Sequence, residues 1–179
     1  MLAWLRQRGH LCRTARSLYG SIVTQARSSD LYAAWGVPDT REGRFEAIVL
    51  HLVLVLRRLA REGERGATLG QALTEAFVVD LDDTLREMTV GDLAVPRHVK
   101  RAVAVLHERY STYGDALAAP HDSLLAEAVA QRLATLSGAE GLDALKICAY
   151  IREVAQALEL EPGAQILAGD LTWPQVRVR

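Results

Sequence analysis

The chain has 179 residues, half of them apolar and 24% charged, with a formal net charge of −1. A chain of this size buries ~68–70% of its unfolded surface, so its core needs neither a metal nor a disulfide scaffold, and disorder is excluded as the main state. Its two cysteines, Cys12 and Cys148, form no Cys-x-x-Cys pair, which excludes a zinc framework and fits a reducing compartment.

The charge is uneven along the chain. Residues 1–30 carry five Arg (Arg6, Arg8, Arg13, Arg16, Arg27) against one acid, Asp30. Such a basic start suits either a solvated helix face or an anionic surface such as lipid head groups or ribosomal RNA. The longest apolar run, Ala47–Leu56, is ten residues and includes His51, short of the ~20 needed to span a bilayer. The Arg-studded start lacks the apolar core of a signal peptide. The expectation is a soluble, cytoplasmic protein.

In chain order, Leu11, Ala15, Leu18, Ile22 and Ala26 recur at helical spacing and predict a helix over Leu11–Arg27. A short helix over Leu31–Trp35 and a turn at Gly36–Thr40 follow. Thr40 is placed to cap a long helix from Arg41 to about Arg61. Its middle, Phe45–Leu59, is apolar on nearly all sides and predicts the buried centre of a bundle. Glu62–Gly66 reads as a connection and Thr68–Met88 as a helix ended by Gly91. Pro96 fits the first turn of the next helix, with Val99, Val103, Leu106, Tyr110 and Tyr113 as its stripe.

Gly114–His121, which contains Pro120, is placed to interrupt that helix before a further one over Leu124–Leu136. Ser137 and Glu140 have capping-box spacing ahead of a helix bearing Ile147, Cys148, Ile151 and Leu158, closed by Pro162-Gly163. The class is therefore all-α, an irregular bundle of six to seven helices around a buried central helix. One domain is expected, with a basic N-terminal helix at residues 1–28, a helical body at 29–162 and an extended or loosely packed tail at 163–179.

No catalytic constellation assembles. Asp80, Asp83 and Glu87 share one flank of their helix, a pattern that in all-helical isoprenoid enzymes holds magnesium and a diphosphate. Those enzymes face two acidic helices toward each other, and this chain has one. The plainer reading pairs Asp80 with an Arg of another helix. Asp82 and Arg86 have i,i+4 spacing. No His lies three residues after a Glu, so di-iron bundle ligands are missing. His51 reads as a hydrogen-bonded core residue and Cys148 as a small core residue. Arg97, His98, Lys100 and Arg101 open a helix against its dipole, which invites an anionic partner. The residues alone give a binding or interaction protein without enzymatic activity, cofactor or metal.

Two blocks go further. Tyr19–Arg27, then Leu31-Tyr-Ala-Ala-Trp-Gly-Val-Pro-Asp-Thr40 and Gly43-Arg-Phe45 leading into Leu50-His51, resemble the ubiquinol–cytochrome c chaperone family. Phe77-Val-Val-Asp80 through Asp92, ending in Val99-Lys100, is similar to the same family's second signature. The resemblance implies an assembly factor for respiratory complex III that binds newly made cytochrome b. In mitochondria such factors act beside a small partner protein and the ribosome exit. It further implies a bacterial member at the cytoplasmic face of the inner membrane, or the matrix side in a eukaryote, with no role on DNA.

A client with exposed membrane helices calls for apolar contact framed by charge. The expected partner-binding residues are Tyr32, Trp35, Val37, Arg44, Asp80, Asp83, Arg86, Glu87, Asp92 and Lys100, each of which a structural role in helix packing would also explain. Two other readings stand beside the chaperone. One is a helical carrier or enzyme for an isoprenoid or quinone-like molecule, and the other is a membrane-surface scaffold working through residues 1–28.

Overall fold

One helix organises the molecule. In the computed structural model, which describes residues 2–87, 94–119, 122–136, 138 and 141–174, eight helical segments occur among the described residues. They are α1 (Leu2–Ala26), α2 (Ser29–Ala33), α3 (Arg41–Ala60), α4 (Gly63–Glu87), α5 (Val95–Ala118), α6 (Asp122–Leu133), α7 (Ala144–Leu160) and α8 (Gly163–Ala168). Six are long, two are single short turns, and no strand appears among the described residues. The fold is the expected all-α bundle.

The central segment α3 packs against α1, α4, α5 and α7. Its residues Val49, Leu50, Leu52, Val53, Leu54, Val55 and Leu59 are all buried, so no side of it stays wet along its middle. Thr40 starts it as expected, its Oγ accepting the Gly43 N–H at 3.1 Å.

Besides the start of α1, at Leu2 where Leu11 was expected, and the course of α5, three boundaries differ from the sequence reading. The connection expected at Glu62–Gly66 shrinks to Arg61–Glu62, because α4 begins at Gly63. Gly66 allows this: a Cβ there would lie 1.9 Å from the Leu59 carbonyl oxygen, so only glycine lets the two helices meet so closely. The second difference is the start of α7. Asp143 caps it by accepting the Lys146 N–H at 3.0 Å, and residues 141–143 are not helical. The capping box at Ser137 and Glu140 therefore does not open this helix; both residues lie outside the described ones. The third is the tail, where residues 163–168 form α8 and bury Ile166 completely. Trp173 then folds back, donating its Nε1–H to Ser21 Oγ at 2.7 Å and setting its ring edge-on to His51. The interruption expected over Gly114–His121 begins later, since α5 continues through Ala118 and the backbone turns extended only at Ala119, the residue before Pro120.

Three polar side chains of α3 are buried, and each is satisfied by other elements. Glu46 receives a two-pronged contact from Arg109 of α5 (3.1 and 3.2 Å) and one from Arg132 of α6 (2.9 Å). Arg58 donates to the Leu158 and Glu161 carbonyls at the C-terminus of α7 (2.7 and 2.8 Å), where a helix leaves carbonyls unpaired, and also to the Glu62 carboxylate. His51 is the hydrogen-bonded core histidine the sequence suggested. A carbonyl can only accept, so Nδ1–H donates to Ala47 O (2.7 Å), leaving Nε2 to accept from the Tyr150 hydroxyl (2.8 Å). The Tyr150 oxygen accepts in turn from Gln25 Nε2 of α1 at 2.8 Å.

Two outcomes follow from this core. Trp35 is 3% exposed, stacks at 5.3 Å on Tyr150 and finds no described partner for its N–H. Trp35→Ala is expected to cost ~3–5 kcal/mol in denaturant unfolding, whereas Trp35→Phe, which sacrifices no hydrogen bond, should cost far less. Burial holds the His51 pKa down at about 4, against 6.5 for a free side chain, the Ala47 hydrogen bond opposing the shift. The unfolded chain therefore takes up the proton first as pH falls. The stability this neutral ring contributes is complete above about pH 6.5 and is lost toward pH 4, by ~2 kcal/mol between about pH 7.5 and about pH 5. Unfolding curves across that range check it, and His51→Gln should flatten the slope.

Candidate functional site

The turn after α2 is built inward. Leu31, Trp35 and Val37 are buried, and Gly36, at φ 71°, lets the turn lie against Gly141 and Leu142, where the Asp143 N–H donates to the Trp35 carbonyl at 2.9 Å. Trp35 and Val37 are thus core residues, not the exposed aromatic and apolar anchors a binding role would use. Their apolar character answers to the interior. Tyr32 is half-buried, its hydroxyl donating to the Ala26 carbonyl at 2.6 Å and so closing the end of α1. At the start of α3, the exposed Arg44 guanidinium bonds Asp39 at 2.6 Å and holds that carboxyl below its usual range.

The acidic helix meets α1 and α3 through aromatic rings. Phe77 of α4 is buried against Phe45 (ring centroids 6.1 Å) and Tyr19 (6.3 Å, edge-on). One turn further along α4, Asp80 accepts the Tyr19 hydroxyl at 2.8 Å. Burial first, then this carboxylate, raises the Tyr19 phenol above its ordinary range, so it stays a donor. The partner of Asp80 is therefore a tyrosine, not the arginine expected from charge alone. The i,i+4 pair forms as predicted, Arg86 Nε to Asp82 at 2.7 Å.

Asp80, Asp83, Arg86 and Glu87 are all exposed, and Val79 stands beside them at 55% exposure. The Phe45–Phe77–Tyr19 cluster brings the two blocks together, with Asp80, Asp83, Arg86 and Glu87 exposed on α4 and Arg44 exposed on α3, where it bonds Asp39. Lys100 is exposed on α5, and no described contact joins it to that cluster. Asp92 lies outside the described residues.

Sequence reasoning missed the residues that fasten this edge. Tyr19, Phe45 and Phe77 all sit inside the two quoted blocks, yet nothing in a linear pattern says that three rings 26 and 32 positions apart will touch. The Glu46–Arg109–Arg132 group was missed for the same reason, since each member reads alone as a surface charge.

The arrangement suits recognition more than chemistry. Among the described residues no three His, Cys, Asp or Glu side chains converge as a metal site. A cavity lined by Leu31, Val37, Glu46, His51, Tyr113 and Ile147 measures about 20 Å³, room for one water and far too little for a prenyl chain. The α4 acids lie on the outer flank and do not ring it. No helix among the described residues is long and apolar enough to cross a membrane.

Comparison with known proteins bears on this edge and on the core together. The family described as ubiquinol-cytochrome C chaperone matches residues 33–173. The crystal structure of the Cbp3 homolog from Brucella abortus is similar to this chain with a TM-score of 0.83 at 30% sequence identity, the likeness covering 98% of each chain. No curated protein matches. The family match takes in α3 to α8 and the polar contacts that hold α5, α6 and α7, while α1 with Tyr19 lies ahead of it and within the structural likeness. The chain belongs to the ubiquinol–cytochrome c chaperone family.

Proposed function

We propose that this chain is a non-enzymatic chaperone that holds newly made cytochrome b and promotes assembly of ubiquinol–cytochrome c reductase, working at the cytoplasmic face of the inner membrane. The observation that carries the reading is the edge where the two family blocks meet, an aromatic base under exposed charges of both signs. A client of unpaired membrane helices offers apolar surface flanked by loops rich in Lys and Arg. Asp83 and Glu87 complement those loop cations, Arg44 supplies the opposite sign for register, and Val79 offers apolar contact beside them.

The core supports the same division of labour. Trp35 and Val37 keep the turn rigid from within, so Arg44 is presented on a fixed frame. A rigid edge loses little conformational freedom when it engages, which favours capture at modest contact area. The carrier reading has less behind it, because the core cavity near Glu46 and His51 is water-sized.

Co-purification of apo-cytochrome b from a detergent-solubilised host membrane tests the proposal. The wild-type chain should bring it down. Asp83→Lys with Glu87→Lys should lower the yield about tenfold, because both carboxylates face outward and act on encounter and orientation. The melting temperature of that variant should stay near wild type. Trp35→Ala should lose client only in step with its own unfolding. A wild-type chain that captures no cytochrome b would overturn the reading. A well-folded charge-reversed variant that captures it fully would remove the α4 edge from it.

A further inference from the structure

We infer that the outer face of the first turns of α1 is a docking surface for a lipid bilayer bearing anionic phospholipid head groups. The helix is continuous from Leu2 to Ala26, but full burial begins only at Thr14; among residues 6–13, Leu11 alone packs against the core, and only partly buried. The first half of α1 therefore contributes little to the core that its second half, through Ala15, Leu18 and Ile22, helps to build. An exposed helical stretch of this kind needs another reason to be there.

Its chemistry supplies one. Arg13 follows Arg6 by seven positions and Arg16 follows by three more, which puts all three on one sector of the helix, opposite Ala15, Leu18 and Ile22. All three are exposed, and none forms an ion pair with a described residue. They extend over ~15 Å along the axis, a straight cationic row. The sequence just ahead, Leu2-Ala-Trp-Leu5, is of the apolar and aromatic type that enters the head-group boundary.

Charge distribution orients the molecule on such a surface. Residues 1–30 are net +4 while the whole chain is −1, so everything after them is net negative. An anionic plane therefore attracts the start of α1 in preference to the rest of the chain. A flat surface suits a straight row of three cations; single-stranded RNA would call for a series of exposed rings on which successive bases stack, and residues 6–16 offer the His10 ring alone. The surface goes beyond the capture of a client and requires none of it.

Sedimentation of the full chain with vesicles of phosphatidylglycerol in phosphatidylcholine tests the inference. Each cation near such a surface is worth ~fivefold in partitioning, so Arg6→Gln, Arg13→Gln and Arg16→Gln together should weaken it about a hundredfold. These side chains bury nothing, so the variant's melting curve should match wild type. The same charge removed from α5, by Arg97→Gln, Lys100→Gln and Arg101→Gln, should change partitioning by less than about threefold, since those residues lie outside the α1 row. Added salt should release the wild-type chain.

Absence of binding to the anionic vesicles would overturn the inference, as would an α1 variant that still partitions or an α5 variant that loses as much. A wild-type chain that binds polyuridylate but not vesicles would overturn it in favour of RNA. The vesicles hold no protein, so these results stand apart from whether cytochrome b is captured.

Discussion

A helix buried on every side can carry polar side chains only if each meets a partner, because an unpaired buried charge or hydrogen-bonding group costs several kcal/mol. The central helix α3 carries three, and each fixes a different part of the bundle. Glu46 calls in Arg109 and Arg132 and so holds α5 and α6. His51 calls in Tyr150, which brings Gln25 of α1 with it. Arg58 takes the open carbonyls at the end of α7. Apolar packing alone would tolerate sliding of one helix along another. These three contacts set the register, and a one-turn slip would break at least one of them.

The aromatic edge depends on that register. Phe45 lies one position before Glu46, so the same turn of α3 that anchors α5 and α6 also delivers a ring to Phe77. The distance from Glu46 to the exposed charges of α4 is then set by rigid helix geometry, not by loops. The molecule thus has an interior that fixes position and an exterior whose charges are free to meet a partner. Tyr19 belongs to both, packing on Phe77 within and bonding Asp80 at the surface.

Much of this was legible before the structure, and what was not has a physical reason. All-round apolarity over Phe45–Leu59 has one stable solution in water, so the central helix could be read directly. Thr40, Pro96 and the Asp82–Arg86 pair could be read because their partners lie within four residues. Glu46, Arg109 and Arg132 could not, since their meeting depends on 63 and 86 residues of intervening chain. The beginning of α4 was misplaced because glycines and charges resemble a loop; only the close approach at Leu59 reveals why Gly66 is helical. Trp35 and Val37 were weighed as contact residues because apolar side chains in a turn have the same sequence signature whether they face a partner or the core. Of the residues expected as contacts, Arg44, Asp80, Asp83, Arg86 and Glu87 are exposed, as charged side chains on helix surfaces are whether or not a partner meets them.

The return of Trp173 has a consequence for the order in which the protein can be completed during synthesis. Its bond to Ser21 spans 152 residues and its ring forms part of the surroundings of His51. Helices α1 to α4 can emerge from the ribosome and begin to pack, since their contacts with one another all fall within the first 87 residues. The wall beside His51 can be added only when almost the whole chain has been made. Closure of that wall is thus a late, high-contact-order event. A nascent chain held short of residue 150 lacks the hydroxyl that bonds the His51 ring, and one held short of residue 173 still lacks the indole set edge-on against it.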